Sequence, residues 1–109
     1  MRVLLLVRCL LLLMLAQPAF AGTLLVVGDS ISAGFGLDTQ QGWVDLLDER
    51  LKQQDIDLEV VNASISGDTS SGGLARLPAL LAEYQPSLVI IELGGNDGLR
   101  GQPTEQLQQ

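Results

Sequence analysis

Apolar strand-like runs alternate with helical stripes along this chain, and that alternation restricts its fold more than any other feature. Leu24–Val27 and Leu88–Leu93 are short and rich in Val, Ile and Leu, with a shorter third candidate at Leu58–Val61. Runs without polar alternation are the pattern of parallel strands buried on both faces. Between the first and second, Trp43, Leu46, Leu47, Arg50 and Leu51 form a mostly apolar stripe at helical spacing, with Asp45, Asp48, Glu49 and Lys52 opposite. Between Val61 and Leu88, Leu74, Leu77, Leu80 and Leu81 repeat the pattern. Pro78 lies inside that segment, where it removes one helical hydrogen bond, so a kink or early break is expected there. Strand, helix, strand, helix, strand predicts a parallel sheet with right-handed crossovers. Pro103 and Thr104 resemble the opening of a third helix. The sequence therefore reads as the N-terminal part of a longer α/β domain, cut after its third strand. A domain of this size buries only about 60–65% of its unfolded surface, so a marginal core is expected.

Each strand candidate ends in a polar turn containing glycine: Gly28–Gly34, Asn62–Gly73 and Gly94–Gly98. Parallel strands place these three turns at one edge of the sheet, where ligands of such folds collect. Ser30, Gly67 and Asn96 are the candidates to meet there. A serine oxygen attacking a carbonyl creates an oxyanion, and donors aimed at that developing charge lower the barrier by about 3–4 kcal/mol each. The N–H groups of Ser30 and Gly67 and the Asn96 side-chain amide would supply three. Glycine at 67 suits a backbone angle closed to other residues, or a substrate oxygen approaching closely. Asp29 and Asp97 are assigned to structure, Trp43 to the core, and Glu92 to a pairing with a nearby donor. A phosphate-binding loop is disfavoured, because the first turn lacks both the Gly-x-Gly-x-x-Gly spacing and the Gly-Lys-Ser/Thr of a P-loop. Nor does Gly28-Asp29-Ser30-Ile31-Ser32 fit the Gly-x-Ser-x-Gly elbow.

Gly28-Asp29-Ser30, the block Asn62–Thr69 around Gly67, and Gly94-Gly95-Asn96-Asp97 resemble, in order, the first three blocks of the SGNH (GDSL-type) hydrolase family. Leu74–Leu81 and Glu92–Gly101 are similar to its periplasmic esterase and thioesterase members. The resemblance implies a three-layer α/β sandwich with a parallel sheet of flavodoxin-like order. It implies cofactor-free and metal-free hydrolysis of small acyl esters or thioesters through an acyl-Ser30 intermediate. It makes Ser30 the nucleophile, and Ser30, Gly67 and Asn96 the oxyanion hole. The family's fourth block, Asp-x-x-His, has no counterpart among these residues. The sequence contains no histidine at all, and a serine hydroxyl normally needs a neighbouring base. Poor turnover by the chain as written is therefore expected.

Residues 1–21 read as a cleavable export signal: Arg2 and Arg8 give a positive start, Cys9–Ala16 is apolar, and Ala19-Phe20-Ala21 matches a small-x-small cleavage site. The expected location is periplasmic or secreted, with no stable membrane anchor. Residues 22–109 then carry the N-terminal portion of the hydrolase domain. Cys9 is the only cysteine, so no disulfide, thiolate metal site or cysteine nucleophile is expected beyond the leader. All acidic residues lie beyond residue 21, against Arg50, Lys52, Arg76 and Arg100, and the whole chain carries a net charge of −7. That acidity argues against nucleic acid and anionic membrane surfaces as partners.

Overall fold

The computed structural model describes residues 22–108; the expected export signal lies outside the described residues. Strand β1 is Thr23–Gly28, β2 is Glu59–Asn62 and β3 is Leu88–Glu92. Helix α1 is Ser30–Ala33, α2 is Trp43–Gln53, α3 is Ser70–Tyr84 and α4 is Gly95–Leu99, followed by a 3₁₀-helix at Thr104–Gln108. The sheet is parallel, as the alternation of elements predicts, in the order β2-β1-β3, the flavodoxin-like order that the resemblance implies. Leu25 stands opposite Val61 on one side and Val89 on the other.

The core is centred on β1, whose Leu24, Leu25, Val26 and Val27 are all at most 3% exposed. Strand alternation sends Leu24 and Val26 to one face and Leu25 and Val27 to the other. On the first face Val44 of α2 is buried with Leu24 and Val26, and Trp43, Leu47, Leu51, Leu58, Val60 and Ile90 pack around them. On the second face α3 approaches through Gly73, where a Cβ would collide with the Leu93 side chain. Helices on both faces give the three layers.

Three expectations change. Burial on both faces holds for β1 but not for β3, where Leu88 and Ile91 are 50% and 58% exposed, because the described helices pack over β1 and leave those positions of β3 uncovered. Of the kink or break expected at Pro78, the break does not occur: α3 continues through it to Tyr84, and the proline forgoes a single ladder bond. The helical stripes are also rotated. In α2 the inward face runs through Val44, Leu47 and Leu51 while Leu46 is exposed, and in α3 Leu74 and Leu81 are exposed while Gly73 is buried. Among the described residues no helix is long and apolar enough to cross a membrane.

Candidate active site

Ser30 is the first residue of α1, immediately beyond the carboxyl end of β1. Asp29 caps that helix: its Oδ1 accepts the Ile31 N–H at 2.9 Å, and the residue is buried. One oxygen is thus committed to the backbone, the structural use the sequence suggested. The first N–H of a helix has no intrahelical acceptor, which leaves that of Ser30 outside the ladder. Gly34 ends the helix at φ 79°, and its N–H returns to the Ser30 carbonyl.

The turn after β2 is drawn against the nucleophile turn by two backbone bonds, Ala63 N to Val26 O at 2.8 Å and Ile65 N to Gly28 O at 3.0 Å. It closes with Asp68 N on Ile65 O at 3.1 Å, and Gly67 occupies its third position at φ 83°. That is the angle of a type II turn, which favours glycine there. A Cβ at Gly67 would find nothing nearer than Arg100 Nη2 at 4.0 Å, so backbone conformation and not crowding within the chain demands the glycine. The Gly67 N–H takes no part in closing the turn.

Asn96 is the second residue of α4, beyond β3. Its Nδ2 donates to the Asp68 carbonyl at 2.9 Å, and an amide nitrogen has a second hydrogen still to give. The neighbouring Asp97 is 2% exposed and accepts both the amide and the hydroxyl of Ser70, at 2.8 and 2.6 Å. These Ser70 donors, the hydroxyl first, hold the Asp97 carboxyl below its ordinary value of 3.8 against the opposing effect of burial. Arg100 Nη2 reaches the Gly67 carbonyl at 3.0 Å. The third turn also lies against the first, since a Cβ at Gly95 would stand 3.7 Å from Asp29 Oδ2. Ser30, Gly67 and Asn96 are therefore carried by three turns that are bonded or packed to one another at a single edge of the sheet.

A second network beneath α1 escaped the sequence. Ser32, 1% exposed, donates to Glu92 Oε1 at 2.7 Å and accepts the Trp43 indole N–H at 3.1 Å. Its carbonyl accepts Asn62 Nδ2 at 2.8 Å. The short nucleophile helix is thereby fastened to β3, α2 and β2. The expected donor for Glu92 and inward placement of Trp43 are both present, but the serine joining them lies 60 positions from Glu92, and no local pattern predicts so distant a partner. Gly28 leaves room for it: a Cβ there would be 2.6 Å from Ser32 Oγ. Among the described residues no group of His, Cys, Asp and Glu is arranged to hold a metal ion.

The GDSL-like Lipase/Acylhydrolase family model matches residues 26–109. The chain is 71% identical over 109 residues to the esterase TesA of Pseudomonas aeruginosa, covering all of this chain and 54% of the relative. The crystal structure of TesA matches with a TM-score of 0.77 at 74% identity, covering 79% of this chain and 48% of that one. A thioesterase/protease/lysophospholipase of Escherichia coli is 52% identical over 99 residues, covering 91% of this chain and 46% of the relative. The esterase EstA from Pseudoalteromonas, in a structure inhibited by monoethylphosphonate, matches with a TM-score of 0.74 at 51% identity, covering 79% and 47%. The chain spans about half the length of the relatives it matches.

Proposed function

Since the chain belongs to the GDSL-like lipase/acylhydrolase family, we propose that it carries the nucleophile and the oxyanion-binding groups of a serine hydrolase for small carboxylic esters and thioesters. Ser30 Oγ attacks the acyl carbon, and the carbonyl oxygen becomes an oxyanion held by the Ser30 N–H, the Gly67 N–H and the free hydrogen of Asn96 Nδ2. Collapse of that intermediate expels the alcohol or thiol and leaves acyl-Ser30, which water then releases. The observation that carries this reading is the bonding of all three turns at one edge: Ile65 to Gly28, Asn96 to Asp68 and Arg100 to Gly67. The names of the relatives, an esterase and a thioesterase, support the bond type.

A base must take the Ser30 proton and return it to the leaving group, and residues 1–109 contain no imidazole. With one Asp29 oxygen and both Asp97 oxygens engaged by donors, these residues alone turn over substrate slowly. The leader-like pattern of residues 1–21 supports an activity outside the cytoplasm. The test is hydrolysis of p-nitrophenyl acetate and butyrate by the purified chain beside Ser30→Ala, with intact mass after a fluorophosphonate probe. A slowly formed adduct that Ser30→Ala lacks supports the assignment. An adduct that persists in Ser30→Ala refutes it, and no adduct in either would leave a non-catalytic acyl-binding product. Fast, Ser30-dependent turnover would overturn the need for an outside base.

A further inference from the structure

We propose that Arg76 and Asp68 are positioning residues for the oxyanion-binding groups, closing the turn that carries Gly67 and orienting the Asn96 amide through the Asp68 carbonyl. The proposal rests on the hydrolase reading above and extends it to residues that touch no substrate. Arg76 lies on α3, and its Nε and Nη2 both donate to Asp68 Oδ2, at 3.2 and 2.7 Å. Its Nη1 donates to the Ala63 carbonyl at 2.9 Å. A single planar guanidinium therefore grips both ends of the segment from Ala63 to Asp68, a fork that an ammonium does not reproduce. The two side chains are 26% and 11% exposed, which shields the pair from water more than an ordinary surface ion pair.

The second Asp68 oxygen extends this hold to Asn96. Oδ1 accepts the Thr69 N–H at 3.0 Å. That N–H belongs to the same peptide plane as the Asp68 carbonyl, which accepts Asn96 Nδ2 at 2.9 Å. Turning the plane would disturb both bonds, so the carboxylate that Arg76 anchors also sets the acceptor for Asn96. With one Nδ2 hydrogen fixed on Asp68, amide planarity fixes the direction of the other. The peptide joining Gly67 to Asp68 is held in turn by Arg100, whose Nη2 donates to the Gly67 carbonyl at 3.0 Å. The two donors separated in sequence by 29 positions are thus held in register by one ion pair and one peptide plane.

The test is binding of n-butylboronic acid to the folded chain, followed by NMR at the Gly67 amide and the Asn96 side-chain amide. Boron accepts the Ser30 oxygen, an O–B bond forms, the serine proton passes to solvent, and the anionic boronate reports on the oxyanion groups without needing a histidine. Arg76→Ala is expected to weaken binding by about tenfold or more, the scale of a misplaced reacting group, with Arg76→Lys recovering part of it. Gly36→Ala, strained elsewhere at φ 78°, should stay within about twofold of the parent. Unchanged affinity in folded Arg76→Ala, with only a lowered Tm, would overturn the proposal. If Arg76→Ala does not fold, Asp68→Asn, which keeps an acceptor for Thr69, takes its place with the same expectations. If the parent binds no boronate, the hydrolase reading fails, and the Asn96 side-chain amide then decides the inference. Faster hydrogen exchange there in the variant supports positioning, and unchanged exchange refutes it.

Discussion

Ser70 gives both its amide and its hydroxyl to the buried carboxylate of Asp97, tying the start of α3 to the residue beside Asn96. These donors favour the ionised form, so the native carboxyl titrates below its unfolded value. The stabilisation is complete above the ordinary carboxylate value of 3.8 and is lost as pH falls through the lowered native one. Unfolding followed by urea from neutral pH into that acid range should show the loss, and Asp97→Asn should flatten the part it contributes. Ser70→Ala should move the Asp97 carboxyl back towards its ordinary value, read by carbon NMR of the side chain.

Gly67→Ala tests whether backbone angle is what the position requires. With φ at 83° and no neighbour closer than 4.0 Å, the substitution should cost about 1–2 kcal/mol in conformational strain. Gly36→Ala, at φ 78° with nothing within 4 Å, should lower stability by a similar amount. Only the first should slow fluorophosphonate labelling of Ser30. Equal labelling in both would remove Gly67 from the site.

Ser32→Ala deletes the donor to Glu92 and the acceptor for the Trp43 indole together. Leaving such groups unpaired costs about 1–3 kcal/mol, which a urea denaturation midpoint will register. Glu92→Gln keeps an oxygen acceptor for the Ser32 hydroxyl and should be milder. A neutral Ser32→Ala would mean that water takes over both partners.

Leu25→Ala and Ile91→Thr separate the central strand from the edge. Leu25 is fully buried in β1, and its truncation should cost about 2–5 kcal/mol. Ile91 is 58% exposed on β3, so its replacement should shift stability by about 0.5 kcal/mol or less. Comparable losses at the two positions would contradict the burial described for β3.

The sequence by itself determined the parallel α/β class, the approximate strands and the three turns carrying Ser30, Gly67 and Asn96. Those features are written in contiguous residues: apolar runs, helical spacing, and polar, glycine-containing turns at strand ends. The family resemblance already implied an order with β1 at the centre; tertiary structure decided how deeply each strand is covered, so that β1 is buried on both faces while Leu88 and Ile91 of β3 are exposed. It also decided the inward face of each helix, because close approach at Gly73 and the packing of Val44 override a stripe drawn from leucines alone. The bonds that hold the site, Ser32 to Glu92, Asn96 to Asp68 and Ser70 to Asp97, join residues 60, 28 and 27 positions apart. Local propensity has no reach over such separations; only the crossovers of a parallel sheet bring those side chains within hydrogen-bond distance.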